Sequence, residues 1–599
     1  MFIEILGLSK EFPPEDLQKL ENSDKTALEV LPFLSDLIVR DKGTYYMGVR
    51  MGRPEKAKFK KLKHNIQVLF PLGHGAGRNI EKASRSKRFS SIDIVNRQCP
   101  ICGEITFRNK CNKCNEHTII RKMCKTCNSY VDKTSSTCPS CGGRLTDYSK
   151  QKINLKQIFE KIPPSMDKII SHNVNCVEGL TSQFKVAEPL EKGILRARNE
   201  VFVYNDGTIR FDAIDIPLTH FTPLEIKTSI EKLIEMGYTH DYKGNLLTED
   251  TQICELKCQD FVAPTHAGDY FVKVAHFVDD ELVYIYNMDR FYNCAKREDL
   301  IGHYFAGLSP HTSASIVGRL IGYAPIQALY AHPYWHAAKR RNADGDEDGI
   351  MLLLDLLINF SKYYLSSKIG GKMDAPLMLT VTLIPAEVDS EAWNVDCASK
   401  YSLDFYEFGK NYMKPGDIEK GNHLQMDIVQ NRIGKINQYS HIDFTHPTEN
   451  ITYGPKLSTY KVLNSTEEKI HSQLDLHDKI LAVDAQDVVK KMLQTHFTPD
   501  IMGNLRTFGQ QEVMCKKNSC GEKYRRVPLS GRCRKCGGEL KLTVTQGGIE
   551  KYLKRSMDLS REYDLGSYTI QRMQLMDEYV KSLTDNPKVK QVKITSFFK

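Results

Sequence analysis

Apolar residues form short runs or alternate with polar residues in several segments, and these patterns predict β-strands. Val68–Pro71 is an apolar run followed by a glycine-containing loop, which is typical of a buried strand that ends in a tight turn. Val201–Phe211 alternates on both sides of a central turn and predicts a hairpin. Leu377–Leu383 predicts a further apolar strand.

Other segments carry helical patterns. Residues 1 to 48 show the apolar periodicity of helices, and Tyr45–Val49 then predicts a strand. Thr222 and Glu225 have the spacing of a capping box, which predicts a helix that continues to Met236. Ile350–Leu365 is the most apolar helical segment, but polar residues interrupt it, so it is too short and too polar to cross a bilayer. The chain is therefore expected to be a mixed α and β protein.

Three carboxylates stand at alternate positions in the sequence Asn-Ala-Asp-Gly-Asp-Glu-Asp at residues 342–348. Asp344, Asp346 and Asp348 cannot share one helix face, but on a tight loop or strand end they converge and bind hard divalent cations. The basic residues 339–341 directly before them indicate a polyphosphate substrate. This arrangement is the one that two-metal phosphoryl or nucleotidyl transfer requires.

A calcium-binding loop is the alternative for the same residues. Asp344–Asp355 has the length of a twelve-residue calcium loop and places Gly349 at its sixth position. Against this interpretation, the last position is Asp rather than Glu, and the ninth is the apolar Leu352. The preceding basic cluster also raises the local positive potential, which disfavours a simple cation buffer.

The length and charge of the chain indicate several domains and a phosphate-binding surface. At 599 residues, the chain has room for about four globular units. The net charge of +9 is concentrated in Arg53–Lys63 and Ser84–Arg88, which predict contact with a nucleic-acid backbone, although a solvated lysine-rich face has the same composition. Met1–Leu6 carries an acid and no basic leader, so we expect an intracellular protein.

Twelve of the 17 cysteines form pairs with the spacing of metal-binding knuckles. Thiolate ligands are more common than disulfides in an intracellular protein, so we expect three closed structural Zn²⁺ sites. Sequential pairing of the knuckles is our prediction, and Cys111 and Cys114 with Cys124 and Cys127 is the sterically reasonable alternative. The expected ligands are Cys99, Cys102, Cys111 and Cys114, then Cys124, Cys127, Cys138 and Cys141, then Cys515, Cys520, Cys533 and Cys536.

The five remaining cysteines and two histidines are not expected to bind metal. The cysteines lack a matching pair, and burial as small hydrophobic residues is the simplest interpretation. His332 and His336 lie one helical turn apart, but the glutamate of a zinc-protease helix is missing between them, so we expect packing or substrate contacts. The unpaired cysteines are Cys176, Cys254, Cys258, Cys294 and Cys397.

The C-terminal residues have the pattern of a peptide that docks on ring-shaped sliding clamps. A short helical turn would place Ile594, Phe597 and Phe598 on one side as a hydrophobic plug, while Gln591 reaches a separate polar pocket. A frayed aromatic tail is the alternative, but two exposed phenylalanines at a terminus are hard to explain without a partner.

Taken together, these motifs resemble the C-terminal, catalytic portion of the large subunit of the archaeal family D DNA polymerases. The resemblance spans nearly the whole chain. The stretches that carry it, besides the aspartate loop, are Met51–Lys58, Ala187–Gly193, Ser309–Ser313, Ala331–Tyr334, His336–Asn342 and Gly370–Pro376.

The resemblance implies a fold in which two double-psi β-barrels form the polymerase core, with inserted zinc ribbons and helical segments in an α+β multidomain chain. The expected order is a helical anchor segment (1–50), a first barrel portion with the basic segment (51–96), two zinc ribbons (97–145), a mixed α/β region with the hairpin (146–300), a second barrel with the aspartate loop (301–390), a mixed α/β region (391–505), a third zinc ribbon (506–545), a helical segment (546–585) and the clamp-binding tail (586–599).

The resemblance also implies DNA-directed DNA synthesis, in which a primer 3′-hydroxyl attacks the α-phosphate of a deoxynucleotide. Asp344 and Asp346 are expected to hold two catalytic Mg²⁺ ions, and Asp348 is the third catalytic candidate. Asn342 is a candidate sugar contact. Charge and motif position make five basic residues candidates for nucleotide or DNA binding: Arg53, Lys56, Lys58, Lys339 and Arg340.

The expected partners are primer–template DNA with deoxynucleotides, a small subunit with a 3′–5′ exonuclease, and a sliding clamp, in the archaeal cytoplasm at the nucleoid and away from membranes. Large subunits of the family are much longer than this chain, so we expect the upstream half to be a separate polypeptide or absent. Two rival hypotheses remain open. A transcription-type enzyme would use the same aspartates, whereas a zinc-containing DNA-binding scaffold would be indifferent to Asp344→Asn.

Overall fold

The computed structural model describes residues 29–30, 65–73, 77–86, 89–131, 137–160, 162, 173–340, 347–366, 369–411, 413, 415–421, 426–443, 450–453, 462–463, 465–480, 483–510, 512–516 and 520–584. Residues 29–30 are helical, and the rest of the expected N-terminal helical segment lies outside these ranges, as does the predicted strand Tyr45–Val49. None of the described helices is both long and apolar enough to span a membrane.

The first described unit contains the predicted buried strand and two small ribbons. Val68–Pro71 is a strand, as its apolar run predicted, and all four residues are buried. The ribbons are inserted between two long antiparallel strands, β2 and β9. The elements are β1 (Val68–Pro71), α1 (Ile80–Ser86), β2 (Phe89–Val95), β3 (Arg97–Gln98), β4 (Ile105–Thr106), β5 (Ile119–Ile120), β6 (Lys122–Cys124), β7 (Tyr130–Val131), β8 (Leu145–Thr146), β9 (Tyr148–Asn154), α2 (Leu155–Glu160), β10 (Cys176–Val177) and α3 (Leu190–Arg198).

A closed β-barrel follows, drawn from residues between 211 and 352. Six strands close in the order β14-β17-β11-β18-β15-β16, because β16 pairs back onto β14, and β19 extends the sheet from β16. The elements are β11 (Phe211–Pro217), β12 (His220–Phe221), α4 (Pro223–Ile226), α5 (Ile230–Glu235), β13 (Cys254–Glu255), β14 (Asp260–Pro264), α6 (Thr265–Glu281), β15 (Tyr304–Leu308), β16 (Ala314–Ala324), β17 (Ala328–Ala331), α7 (Pro333–Ala338), β18 (Glu347–Leu352), α8 (Leu353–Asn359), α9 (Ile369–Met373) and β19 (Met378–Thr380).

Strand direction is mixed around this barrel. Strands β11 and β17 run parallel, and so do β14 and β16, whereas β18 is antiparallel to both of its neighbours, β11 and β15. The prediction that the aspartate loop lies between elements of a β-barrel is confirmed, since α7 ends just before that loop and β18 begins directly after Asp346. The strand predicted at Leu377–Leu383 is shorter than expected and covers only β19.

An aromatic cluster fills the barrel core. The ring of Trp335, which is completely buried, stacks on Phe261 at 5.7 Å, and Phe305 contacts Phe261 edge-on at 5.5 Å. A β-carbon at Gly307 would lie only 2.4 Å from the Trp335 ring, so this strand position requires glycine for the helix α7 to approach. The buried tryptophan therefore fixes α7, and with it the start of the aspartate loop, against β15.

Three sequence predictions in this region need correction. The turn within Val201–Phe211 is confirmed by the Tyr204 N–H bond to the Thr208 carbonyl at 2.8 Å, but the flanking residues are not strands until Phe211. The capping box at Thr222 is confirmed, yet the helix does not reach Met236, because Lys227 adopts a left-handed φ of 55° and separates α4 from α5.

The third correction concerns Ile350–Leu365, which was predicted as one helix. Its first residues complete β18, and only Leu353–Asn359 is helical. A short apolar run is compatible with a fully buried strand as well as with a buried helix. Here the first residues form a strand because β18 pairs with β11 on one side and with β15 on the other.

The C-terminal part of the described chain has its own apolar core, formed by helices around Phe497, Leu505 and Tyr552. A third small ribbon lies among these helices in the sequence. The elements are α10 (Leu403–Lys410), α11 (Pro415–Lys420), α12 (Thr466–Lys479), α13 (Ala485–Met492), α14 (Thr498–Gly509), β20 (Val513–Cys515), β21 (Lys523–Tyr524), β22 (Leu540–Leu542), α15 (Gln546–Glu562) and α16 (Ser567–Thr584).

Candidate active site

The aspartate loop connects α7 to β18 at one end of the barrel. The residues that anchor it, Arg340 before and Glu347 after, belong to the described chain, whereas Asp344 and Asp346 lie outside the described residues. Several other predicted site residues also lie outside them: Asn342, Arg53, Lys56 and Lys58 of the nucleotide-binding set, and Gln591, Ile594, Phe597 and Phe598 of the clamp-binding set.

Asp348, the third predicted carboxylate, is fully buried at the start of β18. Its Oδ2 accepts a hydrogen bond of 2.5 Å from the Ser309 hydroxyl and forms an ion pair with the Lys339 ammonium. Burial raises the pKa of the Asp348 carboxyl to about 7, although Lys339 opposes the shift. Asp348 thus faces the protein interior beneath the loop.

Lys339 is buried as well, with no exposed side-chain surface. Its ammonium lies 2.8 Å from Oδ2 of Asp215 and 4.2 Å from the centre of the Trp335 ring. Burial alone would lower the pKa of Lys339, but Asp215 and Asp348 raise it above its ordinary value. Sequence reasoning placed Lys339 on a phosphate-binding surface, and the structure places it instead between two interior carboxylates.

Arg340, the next basic residue, is exposed and has a φ of 57°. The left-handed conformation turns the chain out of α7 at the point where the aspartate loop begins. Of the predicted nucleotide-binding residues that the structure describes, Arg340 is therefore the one whose guanidinium is accessible to an anionic substrate.

Asp215 was missed by sequence reasoning. It lies on β11 and is buried, and its Oδ2 lies 2.8 Å from the Lys339 ammonium and 3.2 Å from Nδ1 of His336. Burial would raise the pKa of Asp215, but Lys339 and then His336 hold it well below its usual range. The signal that could have found Asp215 is an acid inside the apolar strand Phe211–Pro217, since buried carboxylates require partners.

Further carboxylates lie near the start of β18. Oδ1 of Asp212 is 3.6 Å from the position of a β-carbon at Gly349, and Asp206 forms an ion pair with Arg210, whose guanidinium stacks on Tyr204 at 4.1 Å. Burial, supported by nearby carboxylates and opposed by Arg210, raises the pKa of Tyr204 to about 12. Carboxylate oxygens are the ligands that Mg²⁺ prefers, so the carboxylates that the sequence places in the loop are suited to a hard divalent cation.

The two histidines of α7 pack in the interior, as the sequence indicated. His332 caps the helix by accepting the Tyr334 N–H at Nδ1, 3.2 Å away, and burial lowers the pKa of His332 to about 3. Nε2 of His336 lies 3.0 Å from the Ile216 carbonyl on β11. Both rings therefore hold the helix that leads into the loop.

The calcium-loop alternative does not fit this geometry. Glu347–Leu352 is an extended strand paired on both sides, and Asp355 lies in α8, where it accepts hydrogen bonds from the Ile209 N–H and from Asn359. Asp348 has separate partners at the loop end. A twelve-residue calcium loop wraps its ligands around one ion, which these positions cannot do.

Three groups of four cysteines form candidate metal sites, with all ligand atoms of a group within 4.8 Å of one another. The knuckles pair in sequential order, so the alternative pairing of Cys111 and Cys114 with Cys124 and Cys127 is excluded. Backbone N–H groups of Lys113 and Thr126 point at cysteine sulfurs 3.4 Å away, which favours the thiolate form that zinc requires. Four sulfurs complete a tetrahedral shell, as in structural zinc sites.

The second ribbon is tightly built. A β-carbon at Gly143 would lie 2.6 Å from Oγ1 of Thr126 and 2.9 Å from Sγ of Cys124, so the knuckle closes only around a glycine. Of the five cysteines outside the ribbons, Cys258 is partly buried and Cys176, Cys254, Cys294 and Cys397 are buried, which confirms their expected place in the interior. Burial raises the pKa of Cys254 to about 11.

Comparisons with known proteins agree with this architecture. The family model described as the DNA polymerase II large subunit DP2, catalytic domain, matches residues 167–469, and the DP2 central domain matches residues 1–133. The DNA polymerase II large subunit of Archaeoglobus fulgidus is 45% identical over 607 residues, covering 100% of this chain and 52% of that protein. The large subunit of Pyrococcus furiosus is 46% identical, with 93% of this chain and 44% of that protein covered. That of Methanocella arvoryzae is 42% identical, with 99% of this chain and 52% of that protein covered. The chain thus spans about half the length of the curated relatives that it matches.

Proposed function

The chain belongs to the DNA polymerase II large-subunit family, and from this premise we propose that it is the catalytic portion of a replicative DNA-directed DNA polymerase. The observation that carries the proposal is the position of the aspartate loop, between a buried helix end at Lys339 and a buried strand start at Asp348 of a closed barrel. A rigid frame of this kind can hold the carboxylates of a two-metal site in a fixed geometry.

The described barrel is proposed to be the second of two double-psi barrels. The parallel pairs β11/β17 and β14/β16 within one closed ring support this assignment. The first barrel would include the segment around β1, which is joined to the described barrel by the buried Arg196. The Arg196 guanidinium bonds to the Gln67 carbonyl on one side and to the Gly207 carbonyl on the other, at 2.9 and 3.0 Å.

The proposed reaction is attack of the primer 3′-hydroxyl on the α-phosphate of a deoxynucleotide, with release of pyrophosphate. Asp344 and Asp346 would hold two Mg²⁺ ions, which when bound make the hydroxyl more acidic and neutralise charge on the phosphorus. The exposed Arg340 would bind phosphate oxygens beside the loop. Asn342 is proposed to contact the sugar.

The basic segment before β1 is proposed to complete the nucleotide site. Arg53, Lys56 and Lys58 would bind the triphosphate or the template backbone, since each adds positive charge to a short stretch of sequence. The three cysteine clusters are proposed to hold one structural Zn²⁺ ion each. Their closed ligand sets leave no position for a substrate, so these ions would stabilise the ribbons only.

The proposed partners are primer–template DNA, a small subunit with a proofreading exonuclease, a sliding clamp, and the upstream half found in the longer relatives. The clamp contact would be made by Gln591, Ile594, Phe597 and Phe598. Replication by this assembly would take place at the DNA of an archaeal cytoplasm.

The test is primer extension by the full chain with Asp344→Asn and, as a matched control, Asp404→Asn, which removes an exposed carboxylate at the start of α10. The first substitution should abolish extension and leave duplex binding largely intact, while the second should change neither. Extension that survives Asp344→Asn would show that Asp344 does not hold a catalytic metal ion, whereas DNA binding without extension by the unsubstituted chain would identify a DNA-binding scaffold.

The choice between deoxynucleotides and ribonucleotides distinguishes the proposed DNA polymerase from a transcription-type enzyme. The same extension reactions supplied with ribonucleotides alone should give far less product than those supplied with deoxynucleotides. A preference for ribonucleotides would replace the polymerase proposed here by a transcription enzyme. Each reaction is run for the chain alone and again with the upstream half and the small subunit added.

A further inference from the structure

One buried cluster joins the two ends of the aspartate loop. The Lys339 ammonium, at the end of α7, contacts Oδ2 of Asp348 at the start of β18 and Oδ2 of Asp215 on β11. The side chains of Lys339 and Asp348 have no exposed surface, and that of Asp215 is 3% exposed. We call Asp215, Lys339 and Asp348 the loop clasp.

The surroundings of the clasp are shaped to hold the lysine in this place. The indole of Trp335 lies 4.2 Å from the ammonium, and a β-carbon at Gly307 would approach both the indole, at 2.4 Å, and Cδ of Lys339, at 3.4 Å. Ser309 directly follows β15, and its hydroxyl donates a hydrogen bond to Asp348. A lysine confined on all sides cannot swing out to a phosphate without leaving two buried carboxylates unpaired.

The charges of the clasp depend on one another. Lys339 is the cation shared by Asp215 and Asp348, and Nδ1 of His336 lies 3.2 Å from the same Oδ2 of Asp215 that Lys339 contacts. Removing either carboxylate leaves a buried ammonium with one partner, and removing the ammonium leaves two buried carboxylates facing each other. Buried ion clusters of this type are best explained by the register that they fix, rather than by net stabilisation.

We propose that the loop clasp positions the metal-binding loop: Asp215 and Lys339 are positioning residues that fix the separation of the loop ends, and metal binding by Asp344 and Asp346 depends on that separation. The inference rests on the proposed function, in which these two aspartates bind the metal ions. It changes the role of Lys339 from a phosphate ligand to an interior support. It also assigns a role to Asp215, a buried carboxylate that the proposed chemistry does not otherwise use.

The proposal predicts weaker metal binding when the clasp is broken. Supporting residues around a metal site change its affinity by about tenfold or more, so Asp215→Asn should raise the Mn²⁺ dissociation constant of the loop by at least about tenfold. The measurement is an Mn²⁺ titration of the zinc-loaded full chain, followed by electron paramagnetic resonance without DNA. The signal of Asp344→Asn is subtracted, because that variant lacks the site.

Extension kinetics give a second readout that a merely structural role would not move. In Asp215→Asn, the Mg²⁺ concentration for half-maximal extension should rise about tenfold, the KM for deoxynucleotide should change less than threefold, and saturating Mg²⁺ should restore most of the rate. The control is Glu188→Gln, which breaks the buried ion pair of Glu188 with Arg196 away from the loop. It should lower thermal stability and leave the Mn²⁺ dissociation constant within twofold.

Ser309→Ala serves as the milder variant if Asp215→Asn does not fold. It removes only the hydroxyl that donates to Asp348, and a smaller increase of the Mn²⁺ dissociation constant in the same direction would support the clasp. An unchanged dissociation constant in a folded Asp215→Asn, or in Ser309→Ala when the former is unfolded, would overturn it. Asp344→Asn separates the two proposals: if that variant still extends primers, the proposed function fails, whereas loss of extension with an unaffected Asp215→Asn affinity refutes the clasp alone.

Discussion

Replacing Arg196 by methionine should strongly destabilise the barrel, because this arginine is a completely buried cation. Its guanidinium lies 2.8 Å from Oε1 of Glu188, 2.9 Å from the Gln67 carbonyl and 3.0 Å from the Gly207 carbonyl, and it stacks on Phe277 at 5.0 Å. Methionine keeps most of the apolar stem but removes the charge and all three donors. The change therefore isolates the ionic contacts from the packing.

The expected loss in the free energy of unfolding follows from the buried Glu188 carboxylate that remains without its arginine partner. Summing three charge-assisted hydrogen bonds at about 1.5–3 kcal/mol each overestimates the effect, because solvation of the unfolded arginine is counted as well. Breaking a buried pair by removing one partner costs about 3–5 kcal/mol, and we expect a value in this range, since Glu188 would stay buried and, among the described residues, would keep the Leu69 N–H at 3.1 Å as its donor. In the double variant Arg196→Met with Glu188→Gln, part of the loss should be recovered, because no uncompensated carboxylate remains.

The assay is urea unfolding followed by tryptophan emission. The chain has only two tryptophans, and Trp335 lies in the barrel core, so its emission reports the unfolding of the barrel. Arg85→Met is the matched control, because Arg85 forms an exposed ion pair with Glu81 on α1, and its loss should change the free energy of unfolding by less than about 0.5 kcal/mol. If Arg196→Met stays within about 1 kcal/mol of the Arg85 variant, the buried pair does not contribute as argued.

Three further predictions concern the barrel core, pH and metal. Gly307→Ala should lower the free energy of unfolding by about 1–3 kcal/mol, because its β-carbon would lie 2.4 Å from the Trp335 ring. A shift of the tryptophan emission maximum would report the displaced ring, and an unchanged free energy of unfolding with unchanged emission would contradict the clash. Burial lowers the pKa of His332 to about 3, so between pH 7.5 and pH 5 the unfolded state alone gains this proton, and the contribution of His332 to the free energy of unfolding should fall by about 2 kcal/mol; in urea titrations, the free energy of unfolding of the unsubstituted chain should fall by this amount relative to that of His332→Asn, and equal pH slopes would refute the assignment. Cys515→Ser should reduce bound zinc from three ions to two per chain in elemental analysis and lower protection of the third ribbon from proteolysis, whereas retention of three ions would show that another ligand completes that site.

Local patterns carried the predictions that the structure confirms. The cysteine knuckles lie within a few tens of residues of one another, so spacing identified all twelve ligands, although the structure was needed to exclude the alternative pairing. The short apolar run Val68–Pro71 was recognised as a buried strand from its own residues. The capping box at Thr222 is equally local, and only the end of its helix was wrong. Where the interactions that stabilise an element come from residues nearby in the sequence, the sequence pattern is sufficient to predict that element.

The errors and omissions arise where distant residues decide. Ile350–Leu365 has one apolar pattern but two structures, because strand pairing with β11 and β15 takes its first residues. The buried position of Lys339 was not foreseen for the same reason, since its partner Asp215 lies 124 residues earlier in the chain. A basic cluster shows its charge in the sequence, but only the fold shows that one of its members points inward.

The order of strands around the ring has a consequence for how the protein is made. Strand β18 is the last of the six to be synthesised, yet it is inserted between β11 and β15, which are translated much earlier. Until residue 352 has left the ribosome, the ring has a gap, and the two strands that border it expose their free edges. The zinc ribbons before the barrel can acquire their ions during this interval, whereas the ring closes only after β18 has been inserted between its two neighbours.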